Sequence, residues 1–404
     1  MANNKECAVE YIEGGLGKVP GFKYAALECG IRYPDRIDYA VIVSDVMCNA
    51  AGVFTTNALA AAPVRLCREK IMYPVKAILV NSTNANACTG RQGYNNARFL
   101  TQDIAEKLGV HERSVLMCST GIIGVQLPEE KMSASHDSLI SSLSAQNGEL
   151  VSKAIMTTDT VPKRRAVSFA TSMGSFTLAG TAKGVGMIAP NMATLLAFFV
   201  TNAPIDKQAL NSIFKQAAAA TLNRITIDGD TSTNDSAIIL SPVSDAPLES
   251  SADLDSFKDA LLAVMENLSE QLVRDGEGAT KFIRVLVKNA KDDDDAELIA
   301  RKVSESVLVK TAFFGEDPNW GRVAMAMGNA GAEIREELLS ISFGGCTFLE
   351  RGVPKENSPE KIKEAMSQKD ITVTIDCALG DGEALFMTSD LSYEYVKINA
   401  EYST

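Results

Sequence analysis

The sequence holds 404 residues, 46% of them hydrophobic, enough for a large core spread over two or three closely associated lobes. Lysine and arginine number 39 against 51 aspartates and glutamates, a net charge of -12 with no basic cluster interleaved with aromatics, so nucleic acid is excluded as an expected partner. The most apolar stretch, 192–200, is too short to cross a bilayer, and 1–6 lacks the basic-then-apolar layout of a signal peptide; the expectation is a cytoplasmic protein with no membrane contact.

In chain order, strands are expected at 39–43, 77–80 and 176–179, where apolar residues alternate or run together between turns. A helix is expected over 206–222, Ala-rich at its end. The clearest helix spans 254–272. Leu254, Phe257, Leu261, Met265, Leu268 and Leu272 recur there at three- and four-residue steps, behind Asp253 as the expected N-cap. The turn Asp275-Gly276-Glu277-Gly278 ends it. Further strands are expected at 283–287, 371–375 and 384–387, and a third helix near Pro318, whose fixed φ suits a first helical turn. The acidic run 292–295, followed by Glu297, fits the start of a short helix. The chain closes on a helix and tail over 390–404, in which Tyr393, Val396 and Asn399 share a face. The class is mixed α/β.

Residues able to carry chemistry are sparse. Only His111 and His136 are present, both in polar stretches at loop or helix ends and neither in a nucleophile-elbow or papain-like context, so covalent catalysis here needs a base other than imidazole. The eight cysteines are scattered without a C-x-x-C pair and are expected to be reduced, mostly buried thiols rather than zinc ligands or disulfides. Asp228-Gly229-Asp230 offers two carboxylates but no third ligand at calcium-loop spacing; a turn, and no metal, is expected. Asp317 and Arg322 fit a structural ion pair better than a substrate contact.

The segment from Lys183 to Phe199 begins with permissive glycines at 184 and 186, passes Pro190, and enters an apolar strand-like run opened by Thr194. A strained peptide bond beside a hydroxyl suits that layout, as does a plain Gly-rich loop feeding a buried strand. The string Lys183-Gly184-Val185-Gly186-Met187-Ile188-Ala189-Pro190-Asn191-Met192-Ala193-Thr194-Leu195-Leu196 resembles the self-cleavage site of the glutamate N-acetyltransferase/ornithine acetyltransferase family of arginine biosynthesis. The resemblance extends through Gly52-Val53-Phe54-Thr55-Thr56-Asn57, the run from Asn81 to Gly90, Ser119-Thr120-Gly121-Ile122-Ile123-Gly124, Met156-Thr157-Thr158-Asp159-Thr160, Asp275-Gly276-Glu277-Gly278-Ala279-Thr280-Lys281 and Gly315-Glu316-Asp317-Pro318-Asn319-Trp320-Gly321-Arg322.

That resemblance implies an α/β mixed layered sandwich of the ornithine-acetyltransferase/autoproteolytic-aminopeptidase type. It implies cleavage between Ala193 and Thr194 into an α chain, 1–193, and a β chain, 194–404, in a heterotetramer of two of each. Thr194 would then be an N-terminal nucleophile whose freed α-amine, with a reference pKa of about 7.7–8.0, serves as base. By the same resemblance Thr120 and Gly121 hold the oxyanion, and Thr157, Lys183, Thr194, Glu277, Asn399 and Thr404 line the pocket for N-acetylornithine and glutamate. A cation for the substrate carboxylate and an anion for its amine are what a small zwitterion needs, and Lys183 and Glu277 supply them. No cofactor is implied beyond acetyl-CoA as an alternative donor. The rival readings are a self-cleaving amidohydrolase or aminopeptidase, which differs only in the acceptor, and a non-enzymatic amino-acid-binding protein.

Overall fold

Long runs of β-branched and aromatic residues build two sheets in the computed structural model, which describes residues 9–188 and 195–401. Ala193, Thr194 and Thr404 lie outside the described residues. The first sheet draws on β1 Glu10–Ile12, β2 Phe22–Leu27, β3 Tyr39–Phe54, β4 Val75–Asn81 and β5 Val115–Ser119. It continues with β6 Lys163–Thr171, β7 Gly174–Lys183 and β8 Leu196–Thr201 and, after β9 Ile225–Thr226 of the other sheet, with β10 Ser236–Pro242. Its order is β1-β6-β7-β8-β10-β3-β4-β5, with β2 also paired to β3. The 16 residues of β3 serve both halves: residues up to Ser44 pair with β2 and β4, those from Cys48 with β10.

The second sheet comes from the C-terminal part: β11 Phe282–Ala290, β12 Ser340–Phe343, β13 Cys346–Glu350, β14 Val353–Pro354, β15 Asp370–Asp376 and β16 Gly382–Ser389. Its order is β14-β13-β12-β15-β11-β16-β9. Every strand expected from the pattern falls inside one of these elements.

The helices that matter for the site are α1 Ala62–Lys70, α2 Gly90–Leu108, α3 Glu129–Ala134, α4 His136–Ser141, α5 Gly148–Ala154, α6 Lys207–Ala220 and α7 Ser251–Arg274. They are followed by α8 Asp293–Glu305, α9 Val307–Phe314, α10 Trp320–Gly328, α11 Pro359–Met366 and α12 Tyr393–Glu401. Helices α6 and α7 form one core with the first sheet; α8 covers the second. Phe257, Leu261, Met265, Leu268 and Leu272 of α7 are fully buried, each contributing up to about 1.5–3 kcal/mol relative to exposure.

The cap of α7 differs from expectation. Ser250 is the N-cap, its hydroxyl accepting the Asp253 N–H at 3.1 Å, and the helix starts three residues earlier than the apolar period does. The Asp253 carboxylate instead accepts the Ser172 N–H at 2.7 Å and its hydroxyl at 2.5 Å, pinning the turn after β6. Asp292 caps α8, as the acidic run suggests, while Asp206, expected as the first residue of its helix, is the N-cap of α6. Pro318 stands one residue before the α10 cap, because the Asn319 side chain takes the Arg322 N–H. Arg322 donates to the Leu308 carbonyl at 2.8 Å and Asp317 accepts from Asn319, so the expected ion pair between them does not form.

Both histidines have structural partners. His136 is fully buried, with Nδ1 on Asp103 and Nε2 2.7 Å from the Tyr39 hydroxyl; His111 Nδ1 accepts the Arg113 N–H. The seven described cysteines are free thiols, five of them buried. No described helix is long and apolar enough to cross a membrane.

Candidate active site

Strand pairing gathers the motif residues at one end of the first sheet. Lys183, the last residue of β7, lies opposite Leu196; β10 runs parallel to β8, with Ser236 level with Leu196 and donating to the Leu195 carbonyl at 3.0 Å. Thr120 and Gly121 follow β5, and the Thr120 N–H donates to the Asn81 carbonyl at the end of β4. Between them opens a 90 Å³ cleft lined by Thr120, Gly121, Thr157, Thr158, Lys183, Glu277 and Asn399, with Asn234 and its neighbours behind. A larger hollow of 540 Å³ against β13 and α11 contains none of the motif residues.

Gly121 is required by its surroundings. Its φ is +132°, and a Cβ there would stand 2.1 Å from the Thr83 carbonyl carbon and 2.4 Å from the Asn84 nitrogen. The loop beneath it is itself strained, with Thr83, Asn86 and Cys88 at φ of 72°, 49° and 55°. Asn234 Nδ2 holds that loop to the β5 end, donating to the Ala85 and Ser119 carbonyls at 2.6 and 2.8 Å. The Gly121 N–H has no acceptor among the described residues, and the Thr120 hydroxyl is touched only by Lys183 Nζ at 3.4 Å. Both residues line the cleft with donor capacity to spare, which is what a developing oxyanion needs.

Charge in the site is buried. Lys183 is 4% exposed; burial pulls its pKa down, and the Asp159 carboxylate opposes that shift. Desolvation would raise the Asp159 carboxyl, but the Lys183 and Lys163 charges and its hydrogen bonds outweigh it and hold it at about 2. Asp159 accepts from Lys163 Nζ at 2.7 Å and from the N–H groups of Thr157 and Gly184 at 3.0 Å each. Lys163, fully buried, also reaches Asp275 at 2.6 Å, and Asp275 takes the Thr160 N–H at 3.0 Å. One ammonium therefore joins the loop carrying Thr157 and Thr158 to the turn carrying Glu277.

Glu277 is placed from three sides. Its N–H donates to the Val185 carbonyl at 2.8 Å, Oε1 accepts from the Thr158 hydroxyl at 2.7 Å and Oε2 from Asn399 Nδ2 at 2.8 Å. Gly186 leaves room for it, since a Cβ there would sit 2.5 Å from Oε2. The segment leading to residue 189 is clamped by Asp228, which accepts the Met187 and Ile188 N–H groups at 2.5 and 2.8 Å and the Tyr395 hydroxyl at 3.2 Å. Asp228-Gly229-Asp230 is thus a turn whose first carboxylate is an anchor, with Gly229 at φ +84°.

Helix α12 presents to the site an edge other than the expected one. Tyr393 and Val396 are 84% and 61% exposed, whereas Tyr395 and Asn399, four residues apart, reach Asp228 and Glu277. The sequence-derived set Thr120, Gly121, Thr157, Lys183, Glu277 and Asn399 is brought together; Ala193, Thr194 and Thr404 fall outside the described residues. Sequence reasoning missed Thr158 as the Glu277 partner, the Asp159–Lys163–Asp275 cluster and the run Ser232-Thr233-Asn234-Asp235. The signal for that run was available: four small polar residues directly before an apolar strand.

Substituting Glu277→Gln replaces an acceptor of two donors by a group that must turn an amide NH₂ toward one of them. A lost charge-assisted hydrogen bond of about 1.5–3 kcal/mol should raise KM for an amine-bearing substrate roughly 10–100-fold with a smaller change in kcat. Steady-state kinetics of the variant check this.

The ArgJ family profile matches residues 23–404. The arginine biosynthesis bifunctional protein ArgJ of Geobacter sulfurreducens is 45% identical over 394 residues, covering 96% of this chain and 100% of that protein. Its Bacillus subtilis counterpart is 37% identical over 409 residues, covering 100% of both. A solved arginine biosynthesis bifunctional protein ArgJ chain from Bacillus halodurans is 37% identical and covers 51% of this chain and 98% of its own, with a TM-score of 0.48.

Proposed function

The chain belongs to the ArgJ family, and from that membership we propose that it moves the acetyl group of N2-acetyl-L-ornithine to L-glutamate through an acetyl ester on Thr194. The observation that carries the proposal is the convergence of an unengaged Gly121 N–H and Thr120 hydroxyl with buried Lys183 and a doubly bonded Glu277 in one small cleft. Cleavage between Ala193 and Thr194 converts an unactivated alcohol into a residue holding both nucleophile and base. That base explains how acyl transfer proceeds where both histidines are occupied structurally.

In the first half-reaction the Thr194 oxygen attacks the acetyl carbonyl, Thr120 and Gly121 hold the oxyanion, and ornithine leaves. In the second, the glutamate amine attacks the ester and frees the hydroxyl. Lys183 pairs with the substrate carboxylate and Glu277 with its amine. Asn399 brings α12 over the cleft, where it helps keep water from the ester. The relatives' description as bifunctional supports acetyl-CoA as a second acetyl donor, and the two chains are proposed to assemble as a heterotetramer.

Incubation with N-acetylornithine and glutamate tests the proposal. N-acetylglutamate should accumulate in step with ornithine. Accumulation of acetate in its place would assign the site to hydrolysis.

A further inference from the structure

One buried acid has no place in the chemistry above. Asp235 precedes β10, and its backbone is fixed by its carbonyl, which accepts the Thr55 N–H at 3.0 Å, and by its neighbour Ser236, which bonds the Leu195 carbonyl. The residue is 2% exposed; the Leu195 N–H is the one donor beside its carboxyl, and no side chain among the described residues hydrogen-bonds either oxygen. The side chain lines a 10 Å³ cavity with Thr120, Lys183, Leu195, Ser232 and Asn234, and four of these also line the substrate cleft. A space of that size admits about one water.

Leaving a buried acceptor unmet costs about 1–3 kcal/mol, which nothing in the packing of β8 and β10 requires of an aspartate. Burial pushes its carboxyl well above the usual carboxylate range, against the nearby Leu195 amide and the Lys183 charge. Lys183, from β7, is the other charged side chain facing this cavity; β5 contributes Thr120, and β8 is approached through Leu195. A carboxyl that holds its proton tightly, one water away from the cleft, is suited to proton transfer with an amine.

We infer that Asp235 is the proton store of the transfer reaction, giving a proton through one water to the amine that leaves and recovering it from the amine that enters. The inference rests on the acetyl-threonine reading. When the Thr194 oxygen–carbon bond forms and the amide C–N bond breaks, the hydroxyl proton passes by the α-amine to the leaving nitrogen. A second proton, from Asp235, lets it depart as an ammonium and leaves a carboxylate. The acceptor then enters as an ammonium, returns one proton to Asp235 and attacks as a free amine. As the new C–N bond forms and the ester C–O bond breaks, its second proton passes by the α-amine to the threonine oxygen. Over one cycle no proton is exchanged with solvent.

The test compares two acetyl donors, N-acetylornithine, whose amine needs that proton, and 4-nitrophenyl acetate, whose phenolate leaves without it. Acetylation of the chain beginning at residue 194 is followed by mass. In Asp235→Asn, the loss of rate with N-acetylornithine should exceed the loss with the aryl ester by about 100-fold, the scale of general acid catalysis. Asp235→Glu should recover at least about a tenth of that difference. Equal losses with both donors would overturn the inference. Should Asp235→Asn fail to process, Asp235→Glu is compared with the parent on the two donors in its place: a loss of rate with N-acetylornithine that exceeds the loss with the aryl ester supports the inference, and equal losses would overturn it. No acetylation of the unmodified enzyme by either donor would instead refute the acetyl-threonine reading itself.

Discussion

Gly121→Ala is expected to fold, yet to lose at least about a hundredfold in kcat/KM for N-acetylornithine, the cost of one missing oxyanion donor. The added methyl would lie 2.1 Å from the Thr83 carbonyl carbon, far inside contact distance, at a φ of +132° that alanine rarely adopts. Thr83 cannot yield easily, because its own φ is +72° and the Ile122 N–H holds its carbonyl at 3.2 Å. The β5 end must therefore move instead. Displacing it takes the Gly121 N–H and the Thr120 hydroxyl out of register together, while the strain itself costs about 1–3 kcal/mol. Kinetics alongside a thermal melt separate the two effects. A variant that melts lower but turns over within tenfold of the parent would mean that this turn does not hold the oxyanion.

Lys163→Met should destabilise the chain by about 3–5 kcal/mol, because it strands two carboxylates where one cation met both. Lys163 and Asp159 have fully buried side chains, and that of Asp275 is 8% exposed. The loss of the bridge also frees the loop of Thr158 from the turn of Glu277, so KM should rise more than kcat falls. The same cluster sets an acid limit. Asp159 titrates at about 2 in the fold against about 3.9 in an open chain, so its stabilisation is complete above about pH 4 and fades as pH falls toward 2. Denaturant midpoints measured from pH 6 down to 2 should show that limb in the parent and a smaller one in Lys163→Met, where Lys183 and two backbone N–H groups are left to hold Asp159 down; an unchanged limb in both would assign it to other carboxylates.

Local pattern made much of the scaffold legible. The three- and four-residue steps of α7 and the apolar runs of β4, β11 and β15 need only their own side chains to declare a buried face. Motif strings located Lys183, Glu277, Thr120 and Gly121. The start of α7 was misread because Asp253 is as good a cap as Ser250, and only the turn at Ser172 decides which one is used. Lys163 opens a basic triplet with Arg164 and Arg165, the pattern of a solvated strand end. Its burial depends on Asp275, 112 positions away. The pattern around Asp235 carries no mark of burial either, since pairing of β10 with both β8 and β3 is what encloses it. Partners distant in sequence leave no periodicity to read.

If Thr194 becomes the acetyl carrier once its own amine is released, intact-mass measurement of purified protein with and without N-acetylornithine will show it. Two chains should be found, one ending at Ala193 and one beginning at Thr194, with a single acetyl adduct on the second alone, removed by glutamate; Thr194→Ala should remain one chain. A full-length, unacetylated chain that still converts N-acetylornithine and glutamate would contradict it.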